Sequence, residues 1–534
     1  MGTSLIRPWV RWYGERASSI LLPESSIYTP FKNAVNRFSD HTAIIFEGES
    51  IDYKTLKKKV DKLAGAWKEI GLKKGDRIGL MMHNHPLYIV SYYAAQALGV
   101  IVVQLNPMHT FREMMKIVVH SQVQFIVFDK SSWPTIEAIK EVYSFKQCFS
   151  IEEDLVEYTS LQYLIENGKE ISKPEDINPH EDVAVIQYTG GTIGEIKGVM
   201  LTHYNLTSNV VQSAEMYREK MTPGEEIILS ATQLCHIYAM TSTMNLGIYL
   251  GATILLFPKF QVQPILDAIE KYRPTYFPGV AEMYNAFINY SGIEKYNLKC
   301  LNHCSSGSSP LPIEVILRFE ELTGTKIAEG FGLSEASPIT HRNPPFAKRK
   351  IGSFGIPLPG TDCMIIDEND MELGPNCVGE LLIKGPQIMK GYWNDEEKTR
   401  ITLQNGWLYT GDLAMMDEEG YFYFVGRKKD MIIIGGFNIF PREIESVLYE
   451  HPDIQEVAVV SIPQSGLDDL LKAFLVSKKG VTIDINEIKG YCYSKLTPYK
   501  IPKEFEVIDE LPRNNGGKLL KRQLIKSELE KNRN

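Results

Sequence analysis

A chain of 534 residues, 44% hydrophobic and 23% charged, has room for three or four structural units and the composition of an ordinary globular protein, which excludes a disordered or low-complexity polypeptide. Its net charge of −9 argues against nucleic acid or an anionic membrane as a bulk electrostatic partner. Seven scattered cysteines point to a reducing compartment, and no run reaches the roughly 18 apolar residues of a membrane span, so a soluble cytoplasmic protein is expected.

The opening MGTSLIRPWVRWYGER is broken by charge and lacks the apolar core of a secretory signal. With Arg7, Trp9, Arg11 and Trp12 it reads as a packing arm, contact with a membrane surface being the alternative. Residues 52–70 form an amphipathic helix: Leu56, Val60, Leu63, Trp67 and Ile70 recur every three or four positions and Gly71 stops it. Strands at 77–82, 101–103 and 123–128 alternate with helices at 86–98 and 113–120, the pattern of βαβ units and a mainly parallel sheet. A β-type run at 183–188 leads into a glycine-rich stretch, after which a longer helical pattern begins. Strand-like runs return at 226–229, 252–257, 275–277 and 326–329, with helices at 262–271 and 312–322. Cys300, His303 and Cys304 lack a second ligand pair at zinc spacing and read as a buried strand end. From 351 to 425, short runs such as CMIID, GELLIKG and GYFYFVG alternate with turn residues, as in a small antiparallel β unit. GRKKDMIIIGG, at 426–436, marks a boundary. Helices at 443–449 and 485–495, strands at 454–461 and 471–476, and a helical tail from 519 make a compact α+β end.

Five stretches could carry chemistry. IQYTGGTIGEIKGVM, at 186–200, reads as strand, glycine turn, lysine and then helix, a common way to build a phosphate pocket. It is neither a Walker A loop, since Lys197 sits between Ile196 and Gly198, nor a dinucleotide fingerprint, since Gly190, Gly191 and Gly194 have the wrong spacing. EGFGLSEASP places Glu335 at a glycine turn, where a carboxylate can hold Mg²⁺ alongside phosphate oxygens. GWLYTGDL places Asp412 before an apolar strand, suited to ribose hydroxyls or to a plain hairpin turn, and Arg427 follows a strand from which it could reach ribose or phosphate. LPRNNGGKLLKR carries Lys518 on a flexible turn, from which it could be delivered into a site. QLCHIYAMT sets His236 among apolar residues, where a satisfied core histidine is the usual reading.

The order of these stretches resembles the adenylate-forming superfamily of acyl-CoA synthetases, peptide-synthetase adenylation domains and luciferases. YTGGTIGEIKG is similar to its Tyr-Thr-Ser-Gly-Thr-Thr-Gly-x-Pro-Lys-Gly loop, GFGLSE to Tyr-Gly-x-Thr-Glu, and YTGDL, GRKKDMI and PRNNGGK to its Thr-Gly-Asp, Gly-Arg-x-x-Asp and Gly-Lys motifs, over nearly the whole chain. The resemblance implies an α/β fold. Residues 1–427 would form a large N-terminal domain, with two α/β subdomains to about 345 and a small β-barrel-like subdomain at about 346–427; residues 428–534 would form a small mobile α+β domain.

It also implies roles. ATP would be held by Thr189, Gly190, Gly191, Thr192, Gly194 and Lys197 at its phosphates, by Asp412 and Arg427 at its ribose, and by Gly307, Ser308, Phe331, Gly332 and Ser334 near its adenine. Thr189 and Glu335 would ligate Mg²⁺, and Lys518 would be the adenylation lysine. The C-terminal domain would turn about Lys429 and present Gly435, Gly436, Phe437 and Asn438 to coenzyme A. His236 would gate an acyl pocket walled by Pro278, Gly279, Val280 and Met283. LCHIYAMT offers no carboxylate for a substrate amine, which argues against amino acids and, with apolar walls, favours a medium- to long-chain fatty acid, with aryl acids second. A carrier-protein acceptor, a luciferase-like oxygenase and a non-catalytic relative stay open. The expected partners are the small-molecule carboxylic acid, ATP and CoA, with no nucleic acid, at most peripheral membrane contact, and a homodimer left open. Three departures, Ile193 for Thr, Ile196 for Pro and Phe331 for Tyr, predict a weakened ATP step rather than a lost one.

Overall fold

The computed structural model describes residues 7–14, 20–190, 196–434, 437–463, 470–513 and 519–531. Its first elements follow the local signals. Asp52 caps helix Tyr53–Ile70 by accepting from the Thr55 N–H at 2.6 Å, and Gly71 ends it in the left-handed region at φ 104°. Helix Pro86–Leu98 is buried along its whole length, with Pro86 in its first turn. Strands Arg77–Met81, Ile101–Leu105, Phe125–Phe128, Gln147–Ser150 and Thr159–Ser160 lie parallel in one sheet, and Val183–Gly190 joins beside Ile101–Leu105. Two antiparallel strands, Ile196–Thr202 and Gly391–Tyr392, complete it at eight strands among the described residues.

The second sheet has nine strands among the described residues. Ile227–Ser230, Thr253–Leu256, Tyr276–Val280, His303–Gly307 and Ile327–Gly332 are parallel, and Ile339–Arg342 and Ile356–Pro357 turn antiparallel at one edge. The opposite edge is the early hairpin Thr42–Phe46 and Glu49–Asp52, laid beside Thr253–Leu256. That pairing spans some two hundred residues, beyond the reach of periodicity, and it ties the two α/β units together. Trp67, Tyr93 and Val102 share one buried cluster with Ile44, Met240 and Ile254.

Asp362–Ile366, Val378–Lys384, Trp407–Met416 and Phe422–Arg427 form the antiparallel unit. The N-terminal arm packs on it: Trp9 lies edge-on to Phe422 at 5.6 Å, the Trp12 indole N–H donates to the Glu419 carbonyl at 2.8 Å, and Arg7 Nε pairs with Asp362 at 2.6 Å. In the C-terminal unit, Ile454–Ile462 and Leu470–Ser477 are antiparallel, and Glu504–Val507, a strand the residue pattern did not reveal, joins parallel. Buried Lys472 is held by Glu506 at 2.8 Å and Glu528 at 2.6 Å, so the last helix, Lys521–Lys531, is pinned to that sheet. His303 Nε2 lies 2.8 Å from the Lys220 carbonyl and Cys304 is buried in its strand; among the described residues no cluster of three His, Cys, Asp or Glu could cage a metal. Among those residues, too, no helix is long and apolar enough to cross a membrane.

Candidate active site

The glycine-rich stretch departs from the expected strand, turn, lysine and helix. A second strand intervenes: Val183–Gly190 and Ile196–Thr202 form a hairpin with Thr189 opposite Lys197 and Gly190 opposite Ile196. Ile196, Val199 and Thr202 favour a strand, and pairing with Val183–Gly190 on one side and Gly391–Tyr392 on the other outweighs the helical pattern that follows. The helix His203–Met216 starts only afterwards, with first-turn N–H groups already engaged by a Thr202–Asn205 capping box. Lys197 is thus held by a strand, and the helix end does not serve as the anion site. Gly191, Thr192, Ile193 and Gly194 lie outside the described residues.

Tyr392 is one residue that the sequence pattern did not reveal; its local signal is a Gly-Tyr pair in a short strand. The Lys197 ammonium lies 5.0 Å from its ring centroid, and its hydroxyl donates to Glu335 Oε1 at 2.8 Å. One aromatic side chain therefore joins the lysine of the glycine-rich stretch to the carboxylate of a motif some 140 residues away. Glu335 stands in the turn Ser334–Ala336, past strand Ile327–Gly332. Gly332 is obligatory there, since a Cβ would sit 2.3 Å from the Pro338 carbonyl oxygen. With Oε1 engaged by Tyr392, Glu335 retains a second carboxylate oxygen. One carboxylate, without an all-protein cage, fits Mg²⁺ carried in on a nucleotide, the usual state of that ion.

Asp412 is not in a turn. It lies within strand Trp407–Met416, after Gly411 at φ 69°, and faces Arg427 in register, with Arg427 Nε 3.2 Å from Asp412 Oδ1. Burial pushes the Asp412 carboxyl up to about 6; Arg427 and Lys429 oppose this, and the negative charge of Glu335 adds to it. The ribose and magnesium candidates therefore share one electrostatic site. Because its folded pKa lies above the ordinary 3.8, the stability Asp412 contributes is complete below that pH and lost as pH rises through about 6. Asp412→Asn should make the nucleotide-free protein about 1–3 kcal/mol more stable at pH 8, by urea denaturation, with no gain at pH 4. A variant less stable than the parent at pH 8 would contradict this.

Gly307 and Phe331 lie at the carboxyl ends of neighbouring parallel strands, where open α/β sheets bind ligands, and Ser308 follows at φ 68°. Phe331 packs on Phe354 at 4.7 Å. His236 caps the turn Ile237–Ala239, its Nδ1 accepting from the Tyr238 N–H at 3.2 Å. Surrounding protein lowers its pKa while its surface stays exposed, as for a side chain lining a cleft. Pro278 and Val280 alternate onto one face of their strand; Gly279 faces the other way, against Phe277 and Tyr284, and Met283 is buried in the core beneath.

Lys429 lies in the turn Lys428–Asp430, and Phe437 and Asn438 lie on strand Phe437–Ile439, paired with Ile432–Ile434. Gly435, Gly436 and Lys518 lie outside the described residues. The flanks of the lysine segment are described: Arg513 bridges to Leu519, pairs with Glu456 at 2.8 Å, and comes within 3.9 Å of Glu282, on the helix Ala281–Ile288 that carries Met283. Arg442, also missed, crosses from the C-terminal unit to lie over Phe424 at 4.7 Å, and burial lowers its pKa to about 10.

The AMP-binding enzyme family profile matches residues 31–393, and the AMP-binding enzyme C-terminal domain profile matches 443–518. A long-chain-fatty-acid–CoA ligase of Bacillus subtilis is 40% identical over 553 aligned positions, covering 98% of both chains. One of Escherichia coli O6:H1 is 35% identical, covering 97% of both. The crystal structure of ATP-bound MatB from Rhodopseudomonas palustris superimposes with a TM-score of 0.86 at 29% identity, covering 94% of this chain and 99% of that one.

Proposed function

The chain belongs to the AMP-binding enzyme family, and from that premise we propose that it is a fatty acid–CoA ligase, joining a medium- to long-chain fatty acid to coenzyme A through an acyl-adenylate. The acid's carboxylate attacks the α-phosphorus of ATP and pyrophosphate leaves; the thiol of CoA then attacks the acyl carbon and AMP leaves. The observation that carries this reading is the Lys197–Tyr392–Glu335 chain of contacts, with Asp412 feeling the charge of Glu335.

Two anions must meet in the first step. A unit charge pair at about 4 Å and an effective dielectric near 20 repels by roughly 4 kcal/mol. Lys197 and Lys518 are assigned to offset that repulsion, with Thr189 and Gly190 to Gly194 lining the phosphates. Thr189 and Glu335 would hold Mg²⁺, which when bound would supply further positive charge to offset the negative charge of the phosphates. Asp412 and Arg427 take the ribose, and Gly307, Ser308, Phe331, Gly332 and Ser334 border the adenine. His236, Pro278 and Val280 border the acyl chain, with Gly279 and Met283 supporting that wall from behind. The domain division at residues 427 and 428, with Lys429 as pivot and Gly435, Gly436, Phe437 and Asn438 facing CoA, belongs to the same proposal. Seven free cysteines fit a reducing cytoplasm.

Pyrophosphate release across a panel of carboxylic acids, with and without CoA, tests this. Fatty acids should release pyrophosphate, and AMP should appear in quantity only with CoA. AMP formation indifferent to CoA would favour a carrier-protein acceptor, and silence with every acid would end the reading. Tyr392→Phe keeps the ring under Lys197 but removes a hydrogen bond to a charged group, worth about 1.5–3 kcal/mol. It should lower kcat/KM for MgATP by about 10- to 100-fold while leaving KM for the acid unchanged; steady-state titration of each substrate checks it.

A further inference from the structure

Residues 83–85 form the turn between strand Arg77–Met81 and the buried helix Pro86–Leu98, in the first α/β unit. Both histidines of the turn are tied down. Asp129 Oδ2 accepts from the His83 backbone N–H at 2.9 Å and lies 2.7 Å from His83 Nδ1. His85 is held extended before Pro86, and its Nδ1 accepts from the Leu87 N–H at 3.1 Å. Asn84, with 2% of its surface exposed, therefore projects from a fixed frame.

The Asn84 amide crosses to the second unit. Its Oδ1 accepts from the Leu234 N–H at 2.7 Å, and its Nδ2 donates to the Thr232 and Phe257 carbonyls, each at 3.0 Å. The oxygen and both amide hydrogens are thus in use, and the partners fix which way the amide is turned: reversed, its NH₂ would face an N–H. A carboxylate of the same shape could accept but not donate.

The segment it holds has no ladder of its own. Residues 231–235 leave strand Ile227–Ser230 and run to the turn Ile237–Ala239, which His236 caps. Buried backbone groups outside a strand or helix need other partners, and the first unit supplies them. Beside Asn84, the Tyr88 hydroxyl donates to the Leu234 carbonyl at 3.2 Å and Gln187 Nε2 to the Cys235 carbonyl at 3.5 Å. At one end of the segment the Thr232 hydroxyl meets Met283 Sδ at 3.8 Å; at the other stands His236. Asn84 so grips the backbone between two side chains assigned above to the acyl pocket, and its three hydrogen bonds go to none of the residues assigned to ATP.

We propose that Asn84 is a positioning residue for the acyl pocket: by clamping Thr232 and Leu234 it sets His236 and Met283 for the fatty acid without touching the acid itself. This rests on the acid-activating reading above and adds to it a residue of the first unit that governs binding of the acid and not of ATP.

Steady-state pyrophosphate release by the full-length protein, with decanoate and MgATP titrated in turn, tests the assignment. Asn84→Leu is close in size and removes all three hydrogen bonds; Asn84→Asp keeps the shape and the bond from Leu234 and loses the two donated ones. Each should raise KM for decanoate about tenfold and leave KM for MgATP within about twofold of the parent's. A general packing defect would lower kcat with both KM values in place, or raise both together, and either result overturns the role of Asn84. Should the Leu variant fail to fold, the same two KM values in Asn84→Asp decide. A parent that activates decanoate, with variants unmoved in KM for the acid, overturns the assignment of Asn84 alone. A parent that releases pyrophosphate with no acid overturns the activation reading as well.

Discussion

Lys518→Ala should cut acyl-adenylate formation by about 10³-fold or more while thioester formation from supplied acyl-AMP and CoA survives. The expected size follows from the charge that the lysine brings to two anions: roughly 4 kcal/mol for one pair at an effective dielectric near 20 corresponds to about three orders of magnitude in rate. The asymmetry follows from the chemistry. Once the adenylate exists, the repulsion between acid and triphosphate is gone, and the attacking group is a thiol. The flanking Arg513, held by Glu456 and lying near Glu282 on the helix of Met283, supports delivery of this segment to the acyl side of the site. Single-turnover measurement of radiolabelled acyl-AMP, and separately of acyl-CoA from synthetic acyl-AMP, reads the two steps. Equal loss of both would refute a lysine that serves one step only.

Glu335→Gln should lower kcat/KM for MgATP by on the order of 10²–10³-fold, because it removes the negative charge assigned in the proposal to Mg²⁺ while keeping a hydrogen-bond acceptor for Tyr392. A second readout separates this from a packing defect. Glu335 is one of the groups that hold the Asp412 carboxyl up at about 6. Neutralising it should lower that pKa, so the acid limb of the kcat/KM profile for MgATP should move to lower pH. Raising Mg²⁺ should partly restore the rate. A large loss of activity with an unmoved acid limb would place Asp412 and Glu335 in separate environments.

Local elements were legible where local physics sets them. Helix 52–70 carries a regular apolar stripe, an aspartate cap and a glycine stop, and helix 86–98 has a proline start and a glycine end. The hairpin of the glycine-rich stretch was not legible, because Lys197 and Gly198 are poor strand formers and the second partner of Ile196–Thr202, the pair Gly391–Tyr392, lies almost two hundred residues further on. Strand Glu504–Val507 escaped because EFEV is half charged and half exposed, and its place in the sheet comes from parallel pairing with Leu470–Ser477.

The amino-acid sequence by itself determined the reaction family, because nucleotide, metal and lysine motifs are short runs whose residue types and order survive without coordinates. It also determined the alternation that makes a parallel α/β core, because side-chain periodicity is a local property. Only the tertiary structure decided which residues of those motifs meet. Tyr392 matters because a strand pairing sets it between Lys197 and Glu335. Asp412 titrates near 6 because burial and a distant carboxylate act on it. Each of these depends on distance and desolvation between residues far apart in the chain, quantities that no local pattern encodes.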